Sequence, residues 1–123
     1  MSYNIVMVRE EVKKRCEEQN LDIGFLLENA PESLTLLDGE DIKIAKNELL
    51  SPDCNFQLSS KDSKKIALVH KSNSNAEVVF HDRYIYFSSG FNNSWSIIHA
   101  SMSVMEMSNY KLRRFDFQNG GWC

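Results

Sequence analysis

The chain has 123 residues, of which 42% are hydrophobic, 11% aromatic and 25% charged, and it carries a net charge of −3 at pH 7. That length suits a single domain, residues 1–123, with a core of its own, and the aromatic content excludes a disordered chain. No apolar run approaches the roughly 18 residues that cross a bilayer, and the first residues lack the basic-then-apolar order of a signal peptide, so the sequence predicts a cytoplasmic protein without membrane association.

The charge is unevenly spread. Residues 1–60 hold 12 acidic and 6 basic side chains, a net of −6, whereas residues 61–123 hold 5 acidic and 8 basic, a net of +3. Cys16, Cys54 and Cys123 are odd in number, widely spaced and without a CxxC pair, which fits reduced thiols.

In chain order, the first predicted element is a helix over Val8 to Glu18. Ile5, Val8, Val12 and Cys16 recur at helical spacing, Asn4 is a candidate cap, and Glu10 with Lys14 and Glu11 with Arg15 are i,i+4 pairs. Asn20 and Asp22 interrupt that helix and cap a second, Ile23 to Asn29, which Pro31 ends. The apolar run Leu34 to Leu37 reads as a strand or a buried loop, and Asp38-Gly39 as a turn. A third helix is expected over Glu40 to Leu50, with Ile42, Ala45 and Leu49 inward and Ser51-Pro52 as its stop.

Beyond Pro52 the pattern becomes that of strands. Asn55 to Ser59 alternates polar and apolar residues, Ile66 to Val69 is continuously apolar, and Ser72 to Asn75 is a polar turn. Val78 to Phe80 and Tyr84 to Phe87 flank His81-Asp82 as a predicted hairpin. Residues 93–107 fit a further helix slightly better than a strand. Tyr110 to Phe117 is a final strand, with a loose tail from Gln118. The expected fold class is therefore α+β, with N-terminal helices packed on a C-terminal antiparallel sheet.

The chain contains no HExxH, GxGxxG or GxxxxGK[ST] pattern, so no cofactor and no metal are expected. His70, His81 and His99 support an alternative reading as a small hydrolase or phosphodiesterase, which requires at least two of them to reach one substrate atom. Lys61, Lys64, Lys65, Lys71, Arg83, Lys111, Arg113 and Arg114, interleaved with Tyr84, Tyr86, Tyr110 and Phe115, resemble a stacking surface for single-stranded nucleic acid. The sequence pI near 5.6 argues against that partner. The least compensated charge is Glu28, Glu32, Asp38, Glu40, Asp41, Glu48 and Asp53, opposed between residues 16 and 60 only by Lys43 and Lys46. An acidic face of this kind attracts a basic partner. The leading expectation is a non-enzymatic inhibitor or immunity-type protein that neutralises a basic toxin or nuclease through those seven residues. A homodimeric or adaptor subunit, using an open edge at 110–117, is a further alternative.

Overall fold

The computed structural model describes residues 3–62, 65–90, 97–98 and 112–122. Among these the chain is α+β, with three α-helices and one seven-stranded antiparallel sheet.

The first element is strand β1, Tyr3–Arg9, and helix α1 follows at once over Glu10–Gln19. This corrects the predicted helix start at Val8 and its cap at Asn4. Ile5, Val6, Met7 and Val8 are all buried. Ile5 and Met7 join one apolar cluster and Val6 and Val8 another, as alternation along a strand dictates. A strand covered on both faces shows no period of two, so the coincidental spacing of residues 5, 8, 12 and 16 read as a helix. Arg9 caps α1 without a side-chain bond.

Helix α2, Ile23–Asn29, and helix α3, Gly39–Leu50, lie where the sequence predicts them to within a residue. Their starts are fixed chemically. Asp22 accepts the Gly24 N–H at 2.9 Å and Asp38 accepts the Glu40 N–H at 2.8 Å, satisfying orphan donors of each first turn. Pro31 opens a 3-10 turn, Pro31–Ser33. Leu34 to Leu37 is a loop rather than a strand, and only its ends are buried: Leu34 and Leu37 are inside, whereas Thr35 is exposed and Leu36 is 53% exposed.

The remaining strands are β2 Phe56–Lys61, β3 Lys65–His70, β4 Asn73–His81, β5 Ile85–Ser89, β6 Leu112–Asp116 and β7 Gly121–Trp122. Their order in the sheet is β2-β3-β4-β5-β1-β6-β7. The predicted hairpin is β4–β5. The polar run Ser72 to Asn75 is not all turn, because Asn73 onward belongs to β4. The expected open edge at 110–117 is covered in part: β6 pairs with β1 along its length, and on its other side β7 covers Phe115 and Asp116 while no described strand pairs with Leu112 to Arg114. The tail is not loose there, since Asp116 and Gly120, at φ +68°, turn it back into β7. Of the stretch 93–107 only Ile97 and Ile98 are described, with Ile98 buried in the cluster that holds Ile5. The helix expected there otherwise lies outside the described residues.

The helices do not form one group. Val12 and Cys16 of α1, Ile23 and Leu26 of α2, and Leu34 share a cluster with Val6 and Val8. Leu37 and α3's Ala45 and Leu49 share the other, with Ile5 and Met7. Residues 34–37 therefore carry the chain from one side of β1 to the other. They do so at the β4–β5 turn, where Leu37 N–H donates to the Asp82 carbonyl at 2.9 Å and the Arg83 guanidinium donates to the Leu34 carbonyl.

Candidate functional site: an acidic rim and an aromatic groove

The crossover decides where the acidic residues sit. Glu32, Asp38, Glu40, Glu48 and Asp53 are exposed and Asp41 is half-buried. Among the described residues none of the seven predicted acids forms an ion pair. Glu32 shares a 150 Å³ hollow with Asp82 and Arg83. Asp82 in turn is tied through its carbonyl to Leu37, the residue before Asp38. Asp38, Glu40 and Asp41 form the start of α3, where carboxylates also favour the positive end of the helix dipole.

Glu32 and Asp82 thus share one hollow, Asp38 and Asp41 line another together with Arg9, and the Leu37–Asp82 bond joins the two segments, with Glu40, into an acidic rim. Asp82 is a member that the linear sequence did not reveal, because it joins the others through a turn far along the chain. Arg83, the nearest cation in sequence, lines the hollow of Glu32 and Asp82 while its guanidinium donates to the Leu34 carbonyl. On the far side of Asp82, Lys61 and Lys65 border a neighbouring hollow and limit the rim. The rest of the predicted set is not brought together with it. Glu28 lies on α2, among residues of the other cluster, and Glu48 stands eight residues along α3 from Glu40, about 12 Å at 1.5 Å per residue. Asp53 follows the end of α3.

The charged residues of α1 have other work. Glu10 pairs with Arg113 at 3.0 Å and Glu11 with Arg9 at 3.3 Å, while Arg15 donates to the Ser33 carbonyl at 2.7 Å. These bonds hold α1 to β6 and to the crossover segment.

The two described histidines do not converge. Lys65 pairs with His81 in the β3–β4 ladder, and His70 stands five residues farther along β3, about 16 Å away at the rise of a strand. This pair therefore cannot serve one substrate atom; His99 lies outside the described residues. Each histidine closes its own turn: His70 Nδ1 accepts the Ser72 N–H at 3.1 Å and His81 Nδ1 the Arg83 N–H at 3.2 Å. His81 also stacks on Tyr84, with ring centroids 4.4 Å apart, and its Nδ1 lies 2.8 Å from Asp82 Oδ1. Among the described residues no three His, Cys, Asp or Glu are grouped as a metal would need.

The described basic and aromatic residues are only partly brought together: Lys65, Tyr84 and Tyr86 line one groove, while others are engaged elsewhere. Phe115 packs against Phe117 and Trp122 in the cluster of Val6 and Val8, and Arg113 is paired with Glu10. Neither is a free stacking or phosphate-binding group.

A second concave feature gathers Lys65, Tyr84 and Tyr86 of the predicted basic and aromatic set with residues that the sequence did not associate with them. A groove of about 420 Å³ opens between α2 and the sheet. Tyr84, Tyr86 and Val79 line it from β4, β5 and their turn, and Phe117 from beyond β6. Leu27 and Glu28 contribute from α2, and Lys65 from the start of β3. The register explains the aromatic lining: Tyr86 stands between Val79 and Val6 in one row of the sheet, on the side of the Val6 cluster. Burial, with a smaller contribution from neighbouring Tyr84, raises the Tyr86 phenol above its usual pKa of 10.

Comparison of the chain with protein-family models, with curated proteins and with solved structures finds no match.

Proposed function

We propose that this is a non-enzymatic, cytosolic protein-binding module of the inhibitor or immunity type, which neutralises a basic protein such as a nuclease-like toxin. The binding surface is the rim Glu32, Asp38, Glu40, Asp41 and Asp82. The observation that carries this reading is that Glu32, Asp38, Glu40 and Asp41 form no ion pair among the described residues, and that Asp82, itself 2.8 Å from His81 Nδ1, is tied to their segment by the bond from Leu37 N–H to its carbonyl. Unpaired surface carboxylates retain their full field, and such a field accelerates encounter with a cationic partner and fixes its register. Glu28, Glu48 and Asp53 lie off the rim and serve as outlying charge.

The test is a paired capture from native lysate with the wild-type protein and with the variant E32K/D38N/E40K. Asn is used at position 38 because it keeps the helix cap. The expected result is a basic protein retained by the wild type, released by added salt and lost by the variant. Identical captured sets for the two proteins would overturn the reading.

A further inference from the structure

The groove shares Lys65 with the hollow that borders the acidic rim at Asp82 but otherwise has its own lining and a chemistry of its own. It is lined by Tyr84, Tyr86 and Phe117 with Leu27, Val79, Asn4 and Gly24, and it carries one anion, Glu28, and one cation, Lys65. Among the described residues those two side chains form no ion pair with each other or with any other group. The Tyr84 and Tyr86 hydroxyls likewise make no hydrogen bond with another described residue. An apolar, largely aromatic concavity with a few unsatisfied polar groups converging on it is the usual form of a small-molecule site, and its volume falls within the usual range.

We propose that this groove binds a small amphoteric molecule with a planar aromatic body. The ring lies against Tyr86 and Phe117, the ligand's cationic group meets Glu28, and its anionic group meets Lys65. Both charges on the ligand are required by the lining. An anion alone gains Lys65 but confronts Glu28, and a cation alone gains Glu28 but confronts Lys65. A flat ring suits walls whose own rings, Tyr86 and Phe117, have centroids 6.1 Å apart, within the range of aromatic contacts. Gly24 keeps α2 close to this wall: a Cβ there would stand 3.4 Å from Phe117 Cε1 and 3.3 Å from Asp22 Oδ1.

The test uses three probes that share one ring system: L-tryptophan, which is amphoteric, tryptamine, which is cationic, and indole-3-acetate, which is anionic. Binding is measured by calorimetry and by chemical-shift changes on the full chain. L-tryptophan should bind about threefold to fivefold more tightly than either singly charged probe, the range set by one exposed ion pair. Lys65→Met should reduce L-tryptophan to the affinity of tryptamine, and Glu28→Gln to that of indole-3-acetate. Both substitutions are at exposed positions, so the melting temperature should remain unchanged and confirm the fold. No binding of any probe at millimolar concentration, equal binding of all three, or affinities indifferent to both substitutions would overturn the proposal. None of these outcomes touches the acidic rim, whose variants leave the groove intact.

Discussion

Cys16 shows how burial sets the chemistry of one side chain. It is 3% exposed in the cluster of Val8 and Val12, and burial raises its thiol above the usual pKa of 9.0, with Asp22 and Glu17 adding to the effect and Arg15 opposing it. A raised folded-state value means that the stabilisation is complete below pH 9 and is lost as pH rises through the folded value. The stability of the wild type relative to Cys16→Ala should therefore decline at alkaline pH, measured by denaturant unfolding as a function of pH. Thiol labelling should modify half-buried Cys54 well before Cys16, whose reaction should wait for unfolding. Gly90 shows the converse, a site where a side chain has no room. An added Cβ would lie 2.9 Å from Asn75 Cβ, and the Gly90 N–H bonds the Asn75 carbonyl at 3.1 Å, so the two strands cannot part cheaply. Gly90→Ala should destabilise by about 1–3 kcal/mol, as overpacking does, and Asn75→Gly should make the same substitution milder in a double-mutant cycle.

At the scale of elements, the starts of α2 and α3 were legible to within a residue, through Asp22 as a cap and Asp38-Gly39 as a turn, whereas the start of α1 was not. Asp22 and Asp38 each place a carboxylate two residues before the N–H it accepts. Asp38→Ala should cost about 1 kcal/mol in stability, whereas Asp38→Asn, which still caps, should cost only a few tenths. Thermal unfolding distinguishes the two, and the pair separates the capping role of Asp38 from its charge. The β-branched and aromatic runs at 66–69, 78–80 and 84–87 were legible as strands for the same local reason. β1 was not, because both its faces are covered and the alternation that marks a strand vanishes. β7 was not either. It is two residues long and depends on Asp116 Oδ1 accepting the Gln118 N–H at 2.8 Å, with Gly120 in a left-handed conformation.

At the scale of the molecule, the sheet is organised about β1, which sends alternate side chains to two clusters and so places α1 and α2 with one and α3 with the other. That division narrows the acidic surface. Seven acids were legible in the sequence as a linear stretch, but the crossover at Leu34 to Leu37 leaves Glu28 by the groove and gathers Glu32, Asp38, Glu40 and Asp41 with Asp82. Lys65, Tyr84 and Tyr86 of the groove were legible as members of a basic, aromatic set, but the groove was not, because its lining comes from five separate parts of the chain that only the strand register and α2 bring together. Among the described strands the sheet has one edge at β2 and the other at β7, which covers only Phe115 and Asp116 of β6. In β2, Leu58 is 55% exposed but is flanked by Gln57, Ser59, Ser60 and Lys61 and by a register shift after Leu58, features that oppose edge pairing. Leu58→Lys should therefore leave stability and sedimentation behaviour unchanged.

The association rate of the captured basic partner, measured against ionic strength for the wild type and for D38N/E40Q/D41N, tests the acidic rim most directly. The wild-type rate should fall by about tenfold or more from low to high salt, while the variant begins slower and varies little, the two curves meeting at high salt. Parallel salt dependences for the two proteins would contradict the rim as the surface that recognises the partner.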